Sequence, residues 1–513
     1  MERSRPSFRL TLLCTLCWGF AAHGMMMLNK FSFHDDARLS FGIGATISSG
    51  RWMLELMKRG AEFVLGGVMY SLPLYNGLIS LLLLACAGYF LARTFRVEST
   101  LGCVALTGIL TAFPVITALF GYNMYTAPYY LAGLCLTLLG TWLICRAELE
   151  SWYRLVLGCV LCACGIGVYQ AYLCVALTMM LLYMMMSLHY DARDRRFHFF
   201  YKGFSLVFAC VLMVALYVAA LKLSLYLDEA ALTDYESIDS FGFSGWQAYI
   251  DRVNLAYTEF FQPPRRRMRD MYPYPSLRWL YMVILYMGLL LALERARQLF
   301  RVKARRGVEF LFLLALLPLA VNFIHVMVDV KFVHSLMVYT KALGFLAFIC
   351  LLENVEADRR RYPRWLRRFG IALVLGVAVL YTHFANVCYL KAEVLQNEAI
   401  AYFTRLVSRI ESAPGYDPAL PVAFLNEKDK RDPTAPTFPA FDTIRLLPYL
   451  FDTQMLLINN YAWRDFMRQW CDYAPAVIED TAALEVRPEV AAMPRYPADG
   501  SVKIVAGAVV VKF

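Results

Sequence analysis

The sequence predicts a polytopic α-helical membrane protein that carries a small α/β domain at its C-terminal end. Of its 513 residues, 59% are hydrophobic and only 18% are charged, whereas soluble domains average about 25% charged residues. Most of the charge lies between apolar blocks of about 20 residues, the length that a helix needs to cross a bilayer. The net charge of +10 has an explanation at the membrane surface, so we expect the lipid bilayer and no nucleic acid as a partner.

Apolar windows predict about eleven transmembrane helices. The first window lacks a small-residue cleavage site, so we expect an uncleaved span rather than a signal peptide. The windows lie near residues 9–28, 73–92, 100–120, 125–145, 154–170, 171–188, 203–226, 277–294, 308–328, 333–352 and 369–390.

Basic residues predict how these spans are oriented, because Lys and Arg are enriched in cytoplasmic loops. Six basic clusters fall on one side under an alternating count, which predicts a cytoplasmic N-terminus and an extracytoplasmic C-terminus. The long segments 29–72 and 227–276 and the tail from 391 then lie outside. The clusters are Arg3 to Arg9, Arg93 and Arg96, Arg146 and Arg154, Arg193 to Lys202, Arg295 to Arg306, and Arg359 to Arg368.

The first outer segment contains the pair Asp35-Asp36, flanked by His34 and Arg38. Two carboxylates just beyond a span would meet the head group of a lipid-borne substrate; the alternative is an ordinary solvated acidic loop. Residues 47–64 form an amphipathic pattern. This pattern predicts either a helix lying in the membrane interface or a surface helix packed on the protein.

A basic cluster in the second outer segment comprises Arg265, Arg266, Arg267 and Arg269. Guanidinium groups bind phosphate oxygens in bidentate fashion, so the cluster is a candidate phosphate site. The alternative is a solvated basic turn, or contact with anionic lipid head groups.

Lys341 lies inside an apolar window, where a charge must pair or face a polar cavity. Its ammonium group could reach the phosphate of a bound substrate, or it could only neutralise a carboxylate within the bundle. Nearby, His325, Asp329 and His334 could bind a divalent cation or sit satisfied at the interface. We therefore assign no metal ligands and no certain cofactor, and leave a divalent cation open.

The tail changes character at residue 391, which predicts a membrane domain over 1–390 and an extracytoplasmic α/β domain over 391–513. Helical patterns at 391–410 and 453–470 alternate with strand patterns at 421–425 and 502–513, the last with a turn at Ala506-Gly507. This length suffices for a small domain with its own core. Of the fourteen cysteines, Cys471 alone belongs to the tail, so no disulfide framework is expected.

Asp35-Asp36 after the first span, followed by Gly50-Arg51-Trp52, resembles the serotype-converting glucosyltransferase type II family of bacteria, which belongs to the GT-C superfamily of polytopic glycosyltransferases. Two further stretches are similar to the same family, residues 126–130 (TAPYY) and residues 496–501 (YPADGS). The resemblance implies a GT-C-like fold in the bacterial inner membrane. It also implies transfer of a sugar, glucose, from a polyprenyl phosphate donor to a cell-surface polysaccharide such as O-antigen, by an inverting single displacement.

That reaction assigns roles to the polar residues of the outer segments. A carboxylate accepts the proton of the attacking hydroxyl, which suits Asp35 or Asp36, with His34 and Arg38 orienting the pair or touching phosphate. Cationic groups stabilise the departing phosphate, which suits Arg51, Lys341 and the Arg265 to Arg269 cluster.

Two other functions remain open on the sequence. A transporter or flippase of lipid-linked sugars should show paired repeats and a binding site near mid-membrane, whereas no repeat is visible here and the polar residues concentrate in the outer segments. A sensor or assembly protein would use the tail to bind cell-wall glycan. The enzyme is therefore the preferred prediction.

Overall fold

The computed structural model describes residues 7–32, 36, 46–67, 70–148, 151–190, 199–232, 245–262, 271–328, 333–357, 364–426 and 463–513. These residues form a helical bundle followed by a small mixed module. The bundle helices are α1 (Phe8–Leu28), α2 (Trp52–Leu65), α3 (Pro73–Thr94), α4 (Thr100–Ala112), α5 (Pro114–Asn123), α6 (Ala127–Cys145), α7 (Trp152–Val168), α8 (Tyr172–Tyr190), α9 (Phe199–Leu227), α10 (Trp246–Phe261), α11 (Pro275–Val302), α12 (Ala304–Val321), α13 (Ile324–Met327), α14 (Lys341–Ala357) and α15 (Arg364–Glu411).

Helical structure occupies each of the eleven predicted windows, but the predicted count of eleven spans is not confirmed. Within the described ranges, eight helical segments are long and apolar enough to cross a membrane. Helices α7 and α8 are shorter in their apolar part, and α12 begins with the charged residues Arg305, Arg306 and Glu309. The eight are Phe8–Leu28, Pro73–Thr94, Thr100–Gly121, Ala127–Cys145, Phe199–Leu227, Pro275–Val302, Ser335–Glu353 and Trp365–Glu411.

Short local signals set several helix ends. The side chain of Ser7 accepts a hydrogen bond from the amide of Leu10 (3.2 Å) at the start of α1, and Ser99 accepts one from Gly102 (2.9 Å) at the start of α4. Such N-caps satisfy amides that lack a partner in the helix. Pro114 stands at the first position of α5, and its ring forces Phe113 out of the helical conformation. The apolar run 100–121 is therefore two helices instead of one.

Helices α6 and α7 pack closely because both present glycine at their contact. A Cβ added to Gly140 would lie 2.6 Å from the carbonyl oxygen of Gly158, and one added to Gly158 would lie 2.6 Å from the carbonyl oxygen of Gly140. Small residues allow helix backbones to approach in this way inside membranes.

Helix α15 joins the bundle to the C-terminal module without a break, since it runs through the predicted boundary at residue 390. Tyr381 and Phe384 on its first half are buried in the core of the bundle. Phe403 and Ile410 on its last turns are buried in the core of the module. One helix thus contributes to two hydrophobic cores.

The module contains a three-stranded sheet of order β1-β3-β2 (Val422–Leu425, Ala508–Lys512 and Val502–Val505). β1 pairs with β3 in parallel, with Val422 opposite Val509, and β2 and β3 form a hairpin with Val505 opposite Ala508. The strands and turn predicted at 421–425 and 502–513 are therefore present. Phe424 faces α15, and its neighbour Leu425 faces the other side, as side chains alternate along a strand.

The described part of the module also contains three short helices. They are α16 (Trp463–Cys471), α17 (Ala482–Glu485) and α18 (Pro488–Ala491). α16 packs with α15 on one face of the sheet, where Trp463 stacks on Phe403 with ring centroids 5.8 Å apart. Leu484 and Val490 from α17 and α18 cover the other face. Both faces are thus buried. The helical pattern predicted at 453–470 is seen from Trp463 onward, and residues 427–462 lie outside the described ranges.

Candidate functional site

Asp36 is fully buried just beyond the end of α1, and both of its carboxylate oxygens are engaged. The ammonium of Lys30 lies 2.5 Å from Oδ2 and also donates to the backbone carbonyl of Asp36 (2.8 Å). The hydroxyl of Ser71 donates to Oδ1 (2.6 Å). A buried carboxylate is stable only when paired and hydrogen-bonded in this way. Asp36 therefore links the end of α1, through Lys30, to the residue Ser71 just before α3.

Most other predicted site residues lie outside the described ranges. This holds for His34, Asp35, Arg38, and the cluster Arg265, Arg266, Arg267 and Arg269. Their roles stay predictions.

Arg51 is positioned by a tight turn that ends at Gly50. Gly50 has φ of +77°, a conformation that favours glycine, and its carbonyl accepts a hydrogen bond from the hydroxyl of Tyr217 (3.1 Å). The guanidinium of Arg51 lies 3.4 Å from the hydroxyl of Tyr130 and 5.6 Å from the centre of the Tyr169 ring. Aromatic contacts of this kind stabilise a cation, so Arg51 is a half-buried positive charge held beside Tyr130 and Tyr169.

The amphipathic helix predicted at 47–64 is present as α2. Its last turn exposes Phe63 and Val64, 89% and 79% exposed, which favours a helix lying in the membrane interface. Arg59 ties α2 to the end of α9 through two hydrogen bonds to Asp228, of 2.5 and 3.3 Å. The Asp228 carboxylate, and after it Glu55, raises the pKa of the Arg59 guanidinium.

An apolar groove with a volume of about 390 Å³ lies between α11, α12 and α14. Its walls are mostly Leu, Ile, Phe and Met side chains, including Ile284, Leu314 and Phe348. Helix α10 crosses one end, where Tyr257 donates to the carbonyl of Ala315 (2.8 Å). That end is where α11 begins and α12 ends, which is the outer side under the predicted orientation.

The polar side chains of the groove meet at this same end. The ammonium of Lys341 lies 3.1 Å from the carboxylate of Glu259 on α10. The amide of Asn322 donates to the carbonyl of Ala256 (2.8 Å), while its Oδ1 atom is buried without a partner among the described residues. Both ring nitrogens of His325, one turn further on, are also buried and unpartnered there. The groove thus ends at Glu259, Asn322 and Lys341, and the Oδ1 atom of Asn322 can accept a further hydrogen bond.

A small cavity lies among four tyrosines and several aliphatic side chains of the bundle. Tyr130 and Tyr169, which contact Arg51, form one side, and Leu336 and Tyr339, just before Lys341, form another.

The possible cation site is not formed by the described residues. No group of three or more His, Cys, Asp or Glu side chains in the described ranges could hold a metal ion. Asp329, one member of the predicted set, lies outside those ranges.

Sequence reasoning missed the partners of these residues. Lys30 could have been recognised, because it is the basic residue between the first span and the acidic pair. Glu259 gave no comparable signal, since it lies 82 positions before Lys341 on a separate helix.

The sequence profile of the glucosyl transferase GtrII family matches residues 24–351, more than half of the chain. The chain belongs to this family. The matched residues of this GtrII protein include the Asp35-Asp36 pair, Arg51, the groove and Lys341, while all of α15 and the C-terminal module lie beyond them. No curated protein and no solved structure matches the chain significantly. The predicted resemblance is thereby confirmed: the protein is a glucosyltransferase, and its apolar helices indicate a membrane protein.

Proposed function

We propose that this GtrII protein transfers glucose from a polyprenyl phosphate carrier to a cell-surface polysaccharide such as O-antigen. The observation that carries the proposal is the apolar groove of about 390 Å³ that ends at Lys341. A polyprenyl phosphate has the matching chemistry, an apolar chain with an anion at one end. The first isoprene units would lie in the groove, and the rest of the chain would lie in the bilayer.

The donor phosphate would bind at the polar end of the groove. Its oxygens would take the place of the Glu259 carboxylate as partner of Lys341, which exchanges one anion for another at a buried cation. His325, with no partner among the described residues, would donate a further hydrogen bond. Arg51 and the Arg265 to Arg269 cluster are proposed to stabilise charge on the departing phosphate.

Transfer would be a single displacement that inverts the anomeric centre. The acceptor hydroxyl oxygen attacks the anomeric carbon, the bond from that carbon to the phosphate oxygen breaks, and its electron pair leaves with the phosphate. The hydroxyl proton passes to a carboxylate acting as base. We assign this base to Asp35, because the two oxygens of Asp36 are already bound by Lys30 and Ser71. Asp36 would instead anchor the loop.

Label transfer with purified protein tests the proposal. Radiolabelled polyprenyl phosphate glucose is incubated with candidate glycans and wild-type protein, Asp35→Asn, or the control Asp251→Asn, which changes an exposed carboxylate on α10. A general base contributes about 10²–10⁴ in rate. Asp35→Asn should therefore lose nearly all transfer at normal expression and insertion, whereas the control should keep it.

Two outcomes would contradict the proposal. Near wild-type transfer by Asp35→Asn would remove the assigned base. Movement of labelled lipid across a vesicle bilayer, with no label reaching any glycan, would instead support a flippase.

A further inference from the structure

Residues 29–32, which follow α1 toward the acidic pair, have no regular secondary structure, and the last two of them are buried. Phe31 is 3% exposed and Ser32 is 1% exposed, and the chain leaves α1 at Asn29 in an extended conformation. Buried backbone amide and carbonyl groups must find hydrogen-bond partners. The partners of this segment therefore determine its position.

Gln396, on the second half of α15, supplies two of these partners. Its Oε1 atom accepts a hydrogen bond from the amide of Ser32 (2.8 Å), and its Nε2 atom donates one to the carbonyl of Lys30 (3.0 Å). A side-chain amide has an acceptor and a donor side by side, so Gln396 pairs with the segment as a neighbouring strand would. The residue is 7% exposed, so water does not compete freely for these bonds.

The C-terminal module contributes a third bond. Gln469 on α16 donates from Nε2 to the hydroxyl of Ser32 (2.9 Å). Gln396 and Gln469 both lie beyond the residues matched by the family profile, whereas the segment that they hold lies within them. The two glutamines thus connect the C-terminal part of the chain to the loop of the proposed base.

From Lys30 the hydrogen bonds continue to the carboxylate of Asp36. Lys30, whose carbonyl is held by Gln396, is the residue whose ammonium binds the side chain and backbone carbonyl of Asp36. Asp35 is the residue that precedes Asp36 in the chain. A shift of residues 30–32 would therefore move the anchor of Asp36 and, with it, Asp35.

We infer that Gln396 is a positioning residue for the transfer reaction, assisted by Gln469, and that the C-terminal module thereby fixes the geometry of the acidic pair. The inference rests on the proposed role of Asp35. Misplacement of a reacting group by about 1 Å can cost ~100-fold in rate, so two hydrogen bonds remote from the substrate can govern turnover.

The test compares Gln396→Met with Asn397→Met in the full chain in lipid nanodiscs. Methionine keeps the length of Gln396 but forms neither bond, and Asn397 is the exposed neighbouring residue on the same helix. We expect kcat of Gln396→Met to fall ~10- to 100-fold, with KM for the donor within about twofold of wild type. Gln396→Glu can still accept the hydrogen bond from Ser32, so its kcat should lie between that of Gln396→Met and that of wild type. The control should match wild type.

Hydrogen exchange of the peptide that covers residues 29–32 gives a readout that does not depend on activity. We expect exchange at least ~10-fold faster in Gln396→Met than in wild type or Asn397→Met, because the Ser32 amide loses its acceptor. Unchanged exchange would overturn the inference, and so would unchanged kcat in an active enzyme. A change confined to donor KM would overturn it too. If Gln396→Met does not fold, the same measurements can be made on two variants that each remove a single hydrogen bond. Gln396→Glu removes the bond to Lys30, and Gln469→Met removes the bond to Ser32.

The two proposals fail in different ways. Faster exchange in Gln396→Met, together with a wild-type protein that transfers no glucose from the lipid donor, would leave the structural part of the inference standing and overturn the proposed function.

Discussion

Lys341 and Glu259 form an ion pair in which the two side chains are only 7% and 11% exposed. If Glu259 occupies the place of the donor phosphate beside Lys341, removing the charge of Glu259 should strengthen binding of the donor. We expect Glu259→Gln to lower KM for polyprenyl phosphate glucose severalfold. Lys341→Met should raise it ten- to a hundredfold, since a charge-assisted hydrogen bond contributes ~1.5–3 kcal/mol. Steady-state kinetics with purified protein measures both.

Thermal unfolding in detergent separates this role from a purely structural one. Removing one member of a buried ion pair costs about 3–5 kcal/mol, so each single variant should melt at a lower temperature than wild type. The double variant Lys341→Met with Glu259→Gln should recover stability and keep the high KM. Equal donor KM in all four proteins would contradict a phosphate site at Lys341.

The sequence located the charged residues of the site better than it located their partners. A lysine in an apolar window stands out because it must be neutralised or hydrated. Its partner Glu259 belongs to another helix, and only the packing of α10 across the groove brings the two together. Asp36 likewise was identified from its neighbour Asp35, but its burial depends on Ser71, which lies 35 positions away.

The contact between α6 and α7 depends on two glycines without room for a side chain. Gly140→Ala or Gly158→Ala would place a methyl group 2.6 Å from a backbone carbonyl oxygen of the other helix. Backbones cannot move apart without loosening neighbouring contacts. We expect a loss of ~1–3 kcal/mol in unfolding free energy, seen as a lower melting temperature in detergent.

Gly60 on α2 provides the matched control. A Cβ there would meet nothing within 4 Å, and alanine favours helix over glycine by about 0.8–1.0 kcal/mol. Gly60→Ala should therefore melt at or above the wild-type temperature. Equal melting temperatures for Gly140→Ala and wild type would show that the two helices can separate freely.

Hydrophobic periodicity predicted most elements but not their junctions. The window at 100–120 reads as one span because its apolar run is continuous, and the break comes from the ring of Pro114. The predicted boundary at 390 reflects a change in the polarity of the sequence. Polarity indicates whether a helix is surrounded by lipid or by water, but it does not indicate where the helix ends. Helix α15 therefore continues through it.

The orientation of the whole molecule is a prediction from its basic clusters. A reporter active only outside the cytoplasm should be active when fused after Phe513 and silent when fused after Arg306. The reporter activity of cells that express each fusion measures this. An inactive Phe513 fusion with normal expression, or an active Arg306 fusion, would contradict the predicted arrangement.

The 48 residues of α15 form a rod of ~72 Å at 1.5 Å per residue, of which a bilayer's hydrocarbon core takes only ~30 Å. Because the helix has no break, it can move as one rigid body about the part that is buried in the bundle. A tilt of ~5° about residue 390 would move the end at Glu411 by ~3 Å, since the last 21 residues span ~32 Å. A force on the C-terminal module would thus act through α15 on α11 and α14, which contact it and line the groove.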